Sequence, residues 1–265
     1  MANKIHSTAI ISAKARLGNN VEVGPWTVIG ADVKIADNVI IGQGCLIEGD
    51  TVIGSGCKIF TGAVIGSIPQ DLKYKGEKTK VVIGENNVIR EYCTINIGTV
   101  DKGTTEIGDN NLIMAYSHIA HDCLVGSHCV LANCATLAGH VTIEDRVVMG
   151  GLSAIHQFSR AGKLSIIGGC SKVVQDIPPF STCDGHPAKV FGLNLVGLRR
   201  SQVSAKIITD LKQAFKFLFF SGLNTANSLE KVKKEVSSSP EILYLTEFLK
   251  SSKRGVTRAH KDINE

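Results

Sequence analysis

An aliphatic residue recurs at every sixth position from Ile5 to Ile65 without a miss: Ile5, Ile11, Leu17, Val23, Ile29, Ile35, Ile41, Ile47, Ile53, Ile59 and Ile65. After a polar gap the same lattice resumes at Ile83 and runs to Val173, so that 25 of its 29 positions are Ile, Leu, Val or Met. A period of six matches neither the helix nor the alternating strand. It is the period of a hexapeptide solenoid, in which each repeat gives one short strand and one corner, and three repeats close a coil of about eighteen residues. The expected fold is therefore mainly β: a parallel β-helix whose coils stack at roughly 4.8 Å with Ile on Ile inside. Glycine often follows the aliphatic residue, as at Gly18, Gly24, Gly42, Gly54, Gly108 and Gly126. Its expected role there is to supply backbone freedom at the bend.

Departures from the lattice carry as much information. Asp71 and Glu77 fall where aliphatic residues belong, and residues 67–80 are too polar to line a core. They are expected to leave the coil as a loop, as is a shorter interruption at residues 100–105 around Asp101. Long loops on a rigid scaffold usually carry function. The repeat stops near Ile177-Pro178-Pro179. Beyond it Ile207, Ile208, Leu211, Phe215, Leu218 and Phe219 fall at helical spacing, and Ser239-Pro240-Glu241 reads as an N-cap, a first-turn proline and an acid suited to the helix dipole. The expected organisation is a solenoid over residues 1–190 and an α-helical domain of about three helices over residues 191–265, covering the solenoid's end.

No apolar stretch is long enough to span a bilayer, and the opening MANKIHSTAI enters the repeat at once, so a cytoplasmic protein without a targeting segment is expected. The chain has eight cysteines but no C-x-x-C pair, and Cys45, Cys57, Cys93, Cys123 and Cys129 share one lattice phase, four residues after the aliphatic position. That phase marks them as core filler in a reducing compartment. Residues 194–265 hold 13 Lys and Arg against 7 Asp and Glu, whereas residues 1–193 hold 16 against 17, so the excess positive charge lies on the helical region. Without aromatic interleaving or a base-reading motif this excludes nucleic acid as the favoured partner and points to an acidic protein.

Histidines gather on one azimuth. His121, His140 and His156 are nineteen and sixteen residues apart, close to one coil each, and His118 shares a coil with His121. Such a column can fill a corner between coils, bind zinc or supply a general base. In the β-helical carbonic anhydrases, which this chain resembles in architecture, the zinc ligands include a histidine pair five residues apart. Here Gly151 and Ala161 flank His156 at that distance, which weakens the metal reading. A base is better supported, because His121-Asp122 places a carboxylate beside an imidazole, where it can hold the tautomer and raise basicity.

The stretches AYSHIAHDCLVG (residues 115–126), LAGH (137–140), HQF (156–158), PQDLKY (69–74) and GLRR (197–200) together resemble the UDP-N-acetylglucosamine O-acyltransferases of lipid A biosynthesis, along nearly the whole chain. The resemblance implies a homotrimer of left-handed β-helices, a hand contrary to the usual right-handed crossover. It implies transfer of a (3R)-hydroxyacyl chain from acyl carrier protein to the 3-hydroxyl of UDP-N-acetylglucosamine, with no metal or other cofactor. By position His121 is then the base, Asp122 its orienting partner and the Gly139 N–H an oxyanion donor. His118, His140, His156 and Gln157 line the groove, Gln70, Asp71 and Lys73 reach substrate at a subunit interface, Asn194 and Arg200 hold the nucleotide end, and Gly169 sets acyl length. Asn96-Ile97 stands where many members carry His-Arg, Val196 where a glutamate is common, and Ser201 where a third basic residue can follow. The alternatives are an N-acyltransferase of the same pathway, whose additional N-terminal uridine-binding domain has no room before Ile5, a zinc-dependent lyase, and a solenoid without catalysis.

Overall fold

A computed structural model describes residues 2–260. Most repeats form a two-residue strand that ends on the lattice residue, such as Glu22–Val23, Val28–Ile29 and Lys34–Ile35. Each strand pairs in parallel with the strand one coil on, Val23 with Ile41 and Ile29 with Ile47. Three sheets of eleven, nine and eight strands result, and they are the walls of a left-handed triangular prism. Inside the second wall Ile29, Ile47, Ile65, Ile95, Ile119, Leu137 and Ile155 form one stacked column, each at most 1% exposed. Burial of such a side chain contributes about 1.5–3 kcal/mol, so the ladder alone explains why so small a repeat holds together.

The two polar interruptions are extruded. Asp50 pairs with Lys80 and Lys80 with Thr104, thirty and twenty-four residues apart where eighteen would close a coil. The insertions are thus twelve and six residues long. Both are whole repeats, which is why the lattice resumes in phase. The five in-phase cysteines are all buried, and their thiols donate to backbone carbonyls one coil on, Cys123 to Ala138 at 3.2 Å and Cys129 to Glu144 at 3.1 Å. Burial pushes both thiols up to about 12, as befits filler rather than reactive groups.

Most glycines after the aliphatic residue act differently from expectation, Gly66 with its φ of 87° being an exception that does supply backbone freedom. The left-handed backbone conformation that turns most corners falls three residues after the lattice position, and it is taken by Asn20, Asn38, Asn86 and Asn110, but also by Trp26, Tyr92, Tyr116 and Phe158. Gly24 and Gly54 do not have positive φ. A Cβ on Gly24 would instead lie 2.7 Å from the Gly42 carbonyl carbon, and one on Gly54 2.5 Å from that of Gly84. Their function is to let adjacent coils approach.

After the last coil the antiparallel strands Ser181–Gly185 and Ala188–Leu193 close the first wall. Four helices follow rather than about three: α1 (Leu195–Arg200), α2 (Ala205–Phe219), α3 (Thr225–Glu235) and α4 (Pro240–Ser251). Ser239 caps α4, accepting from the Ile242 N–H, with Pro240 in the first turn. The α4 helix lies against the solenoid: the Arg160 guanidinium sits 4.2 Å from the Phe248 ring centroid, and the Tyr244 hydroxyl donates to Glu144. Among the described residues no helix is long and apolar enough to cross a membrane.

Candidate active site

The site grows from the corner after the second wall, where the chain leaves strand His118–Ile119. His121 and Asp122 are the second and third residues past the lattice residue Ile119, and Asp122 takes the left-handed conformation common to the corners, with φ of 59°. His140 occupies the same turn position one coil on, also left-handed. The backbone N–H of His140 donates to the His121 carbonyl at 3.0 Å, which ties the two corners together. Coil stacking thus brings the side chains into register. The His121 and His140 rings meet edge to face with centroids 5.1 Å apart, and Phe158 stacks on His140 at 4.5 Å.

His121 Nδ1 lies 2.9 Å from Asp122 Oδ2, and Asp122 is wholly buried. A carboxylate only accepts, so the shared proton sits on Nδ1 and the Nε2 lone pair is left free. Asp122 has further partners: the Thr99 N–H at 2.9 Å on Oδ1, the Thr99 hydroxyl at 2.5 Å on Oδ2, and the Thr105 hydroxyl, which accepts from the Asp122 N–H at 2.9 Å. Burial by itself favours the neutral acid. The bonds from Thr99 and His121, with His140 nearby, outweigh it and hold the carboxyl below its ordinary range. Burial depresses His118, reinforced by the neighbouring His121, and it depresses His140 against the partial opposition of Asp122. His118 is fixed by a 2.7 Å bond between its Nδ1 and the Thr94 hydroxyl.

His121 lies over Gly139, whose absent Cβ would fall 2.6 Å from Nε2. The Gly139 N–H makes no hydrogen bond among the described residues. His121, Asp122 and His140 also bring one donor atom each within 4.8 Å of the others, the spacing of a cation site, but Asp122 Oδ2 is already bonded to His121 and Thr99. The donor set reads as a self-satisfied hydrogen-bonded cluster.

Other residues singled out in the sequence stand apart within one chain. His156 and Gln157 occupy the next corner, both exposed, with His156 Nδ1 donating to the Gln157 carbonyl at 3.2 Å. Gln70, Asp71 and Lys73 lie in the longer extruded loop, and no hydrogen bond or ion pair joins them to the histidines; the Asp71 carboxylate accepts instead from the Lys73 N–H. The amide of Asn194 is spent inside the subunit, capping α1 by accepting from the Gly197 N–H and donating to the Leu164 carbonyl, both at 2.9 Å. That cap presents the exposed Arg200 at the far end of α1. Gly169 is exposed, and a Cβ there would meet nothing nearer than the Gly151 carbonyl at 3.4 Å. Sequence reasoning missed Thr99, Lys102 and Thr105, and it quoted Phe158 within the HQF stretch without its stacking on His140. The signal for Thr99 was register alone: Ile95 pairs with Ile119, so Gly98-Thr99 falls one coil beneath Asp122-Cys123, beside the carboxylate.

A hexapeptide prism with a histidine–carboxylate pair on one corner defines the chain as a hexapeptide-repeat transferase, and residues 14–49 and 104–139 match the bacterial transferase hexapeptide family (six repeats). Residues 176–257 match domain 2 of UDP N-acetylglucosamine O-acyltransferase. Proteins named acyl-(acyl-carrier-protein)–UDP-N-acetylglucosamine O-acyltransferase are 49% identical in Thiobacillus denitrificans, covering 96% of this chain and 99% of that one, and 51% identical in Thermodesulfovibrio yellowstonii, covering 97% and 100%. Solved UDP-N-acetylglucosamine acyltransferases from Bacteroides fragilis (42% identity, TM-score 0.94, 96% and 99% covered) and Campylobacter jejuni (43%, 0.91, 97% and 100%) share the fold. The chain belongs to the UDP-N-acetylglucosamine O-acyltransferase family.

Proposed function

We propose that this protein transfers a (3R)-hydroxyacyl chain from acyl carrier protein to the 3-hydroxyl of UDP-N-acetylglucosamine, the opening step of lipid A assembly, and that it does so as a cytoplasmic homotrimer. The observation that carries the reading is the His121–Asp122 pair, with its free Nε2 over Gly139, whose N–H has no partner among the described residues. His121 Nε2 removes the proton of the sugar hydroxyl as its oxygen attacks the thioester carbonyl. Asp122 holds the tautomer and stabilises the imidazolium. The Gly139 N–H donates to the oxygen of the tetrahedral intermediate, a position where the charge appears only as the bond forms. Collapse breaks the carbon–sulfur bond, and the departing thiolate takes the proton back from His121.

His118, His140, His156 and Gln157 line the remainder of the groove. Because no hydrogen bond or ion pair joins Gln70, Asp71 or Lys73 to the histidines within one chain, they serve the groove of an adjacent subunit, and Arg200 offers planar donors to the diphosphate at the nucleotide end. The positive helical region receives the acidic carrier protein. Incubation with UDP-N-acetylglucosamine and a panel of acyl-carrier-protein thioesters, followed by mass analysis of the products, tests the reading. It predicts a single ester-linked acyl group; an amide product, or no acyl transfer, overturns it.

A further inference from the structure

The shorter extruded loop touches the reacting pair through Asp122. Its first residue, Thr99, supplies two of the bonds to that carboxylate: the N–H on Oδ1 at 2.9 Å and the hydroxyl on Oδ2 at 2.5 Å. The grip is anchored around Thr99 on several sides. The Thr79 hydroxyl donates to the Gly98 carbonyl at 2.6 Å, the Gly103 N–H to the Thr99 carbonyl at 2.7 Å, and Lys102 Nζ to the Asp122 carbonyl at 2.9 Å.

Asp122 has a choice to make. Two imidazoles approach Oδ2, His121 Nδ1 at 2.9 Å and His140 Nε2 at 3.7 Å, and the carboxylate is shut off from water, which would otherwise satisfy whichever oxygen turned away. A small turn about the bond to the carboxyl group, swinging Oδ2 away from His121 Nδ1 and toward His140 Nε2, would exchange the two rings as partners. With Oδ1 held by a backbone N–H and Oδ2 by a β-branched side chain of restricted χ1, that turn is blocked.

We propose that Thr99 is a positioning residue which commits Asp122 to His121 rather than His140, and so determines which histidine carries its proton on Nδ1 and offers Nε2 to the acceptor hydroxyl. This inference rests on the reading of His121 as the base. Thr99 itself does not touch substrate. Its loss therefore affects the chemical step and leaves binding of the nucleotide sugar alone, because molecules whose His121 holds its proton on Nε2 bind but do not react.

Thr99→Val keeps the shape, the methyl group and the N–H and removes only the hydroxyl; Thr99→Ser restores it. The expected result for valine is a kcat lower by roughly ten- to a hundredfold, the worth of one hydrogen bond to a charged group, with KM for UDP-N-acetylglucosamine unchanged and with serine recovering most of the loss. In protein labelled with ¹⁵N-histidine, the His121 signals should change from one Nδ1–H tautomer to a mixture in the valine variant. Should valine fail to fold, Thr99→Ala is read the same way. Wild-type kcat with an unmixed tautomer overturns the inference, and so does an equal loss in valine and serine accompanied by a fallen melting temperature, the mark of a merely structural residue. His121→Ala run in parallel separates the two claims: an inactive alanine variant beside a fully active valine variant sinks the role of Thr99 alone, whereas an active alanine variant sinks the base on which it rests.

Discussion

The His121 imidazole lies directly over the bare Cα of Gly139, so near that a methyl group there would fall 2.5 Å from its Cε1. Gly139 has no positive φ, so the constraint comes from the ring above it and not from the backbone. Gly139→Ala should therefore fold normally and push His121 aside by a fraction of an ångström to an ångström. Misplacement on that scale costs on the order of a hundredfold in rate. Steady-state kinetics beside a melting curve check this: the expected outcome is a large fall in kcat with a melting temperature near wild type, and unchanged kcat would show that the ring position is not critical.

Acid should weaken the fold in two stages. His118 and His140 are held below their ordinary value, so the folded chain binds fewer protons than the unfolded one between that depressed value and about 6.5. Stability contributed by the neutral imidazoles is complete above about 6.5 and is lost as pH falls below it. The depressed Asp122 carboxyl acts lower down, its contribution present above about 3.9 and lost as pH drops through the folded value. Melting temperatures recorded against pH should show a shallower decline below about 6.5 in His118→Asn than in wild type, and identical slopes would remove His118 from the account.

What the sequence made legible was whatever repeats. A lattice residue such as Ile95 or Ile119 reports its own burial, because each sits in the same environment as its neighbours eighteen to thirty residues away. The histidine column was readable for the same reason. The corner conformation was not, since it falls on residues as different as Asn20, Trp26 and Asp122, with no common side chain to mark it. Glycine after the aliphatic residue pointed to the wrong cause, since a frequent glycine fits either an unusual φ or a close approach and only the stacked coils separate the two. Thr99 was missed because a lone threonine at the edge of an insertion repeats no pattern, and only the folded loop shows its hydroxyl bonded to Asp122.

Acyl length offers a further check, by resemblance to the family and by the open surroundings of Gly169. A side chain at this position meets no backbone closer than the Gly151 carbonyl at 3.4 Å, so it projects from the coil without disturbing it. Gly169→Met should keep the fold and shift the preference to a chain several carbons shorter. Each methylene accounts for about 1–3 kcal/mol, so neighbouring lengths are separated only in part. A competition assay with mixed thioesters reads this shift, and an unchanged preference would place the end of the groove elsewhere.

The central claim is that His121, oriented by Asp122, is the base. Turnover of His121→Ala, measured with purified acyl-carrier-protein thioester on a preparation whose melting temperature and oligomeric state match wild type, tests it most directly. The account predicts a kcat lower by roughly two to four orders of magnitude. Turnover within a few-fold of wild type in that folded variant would contradict it.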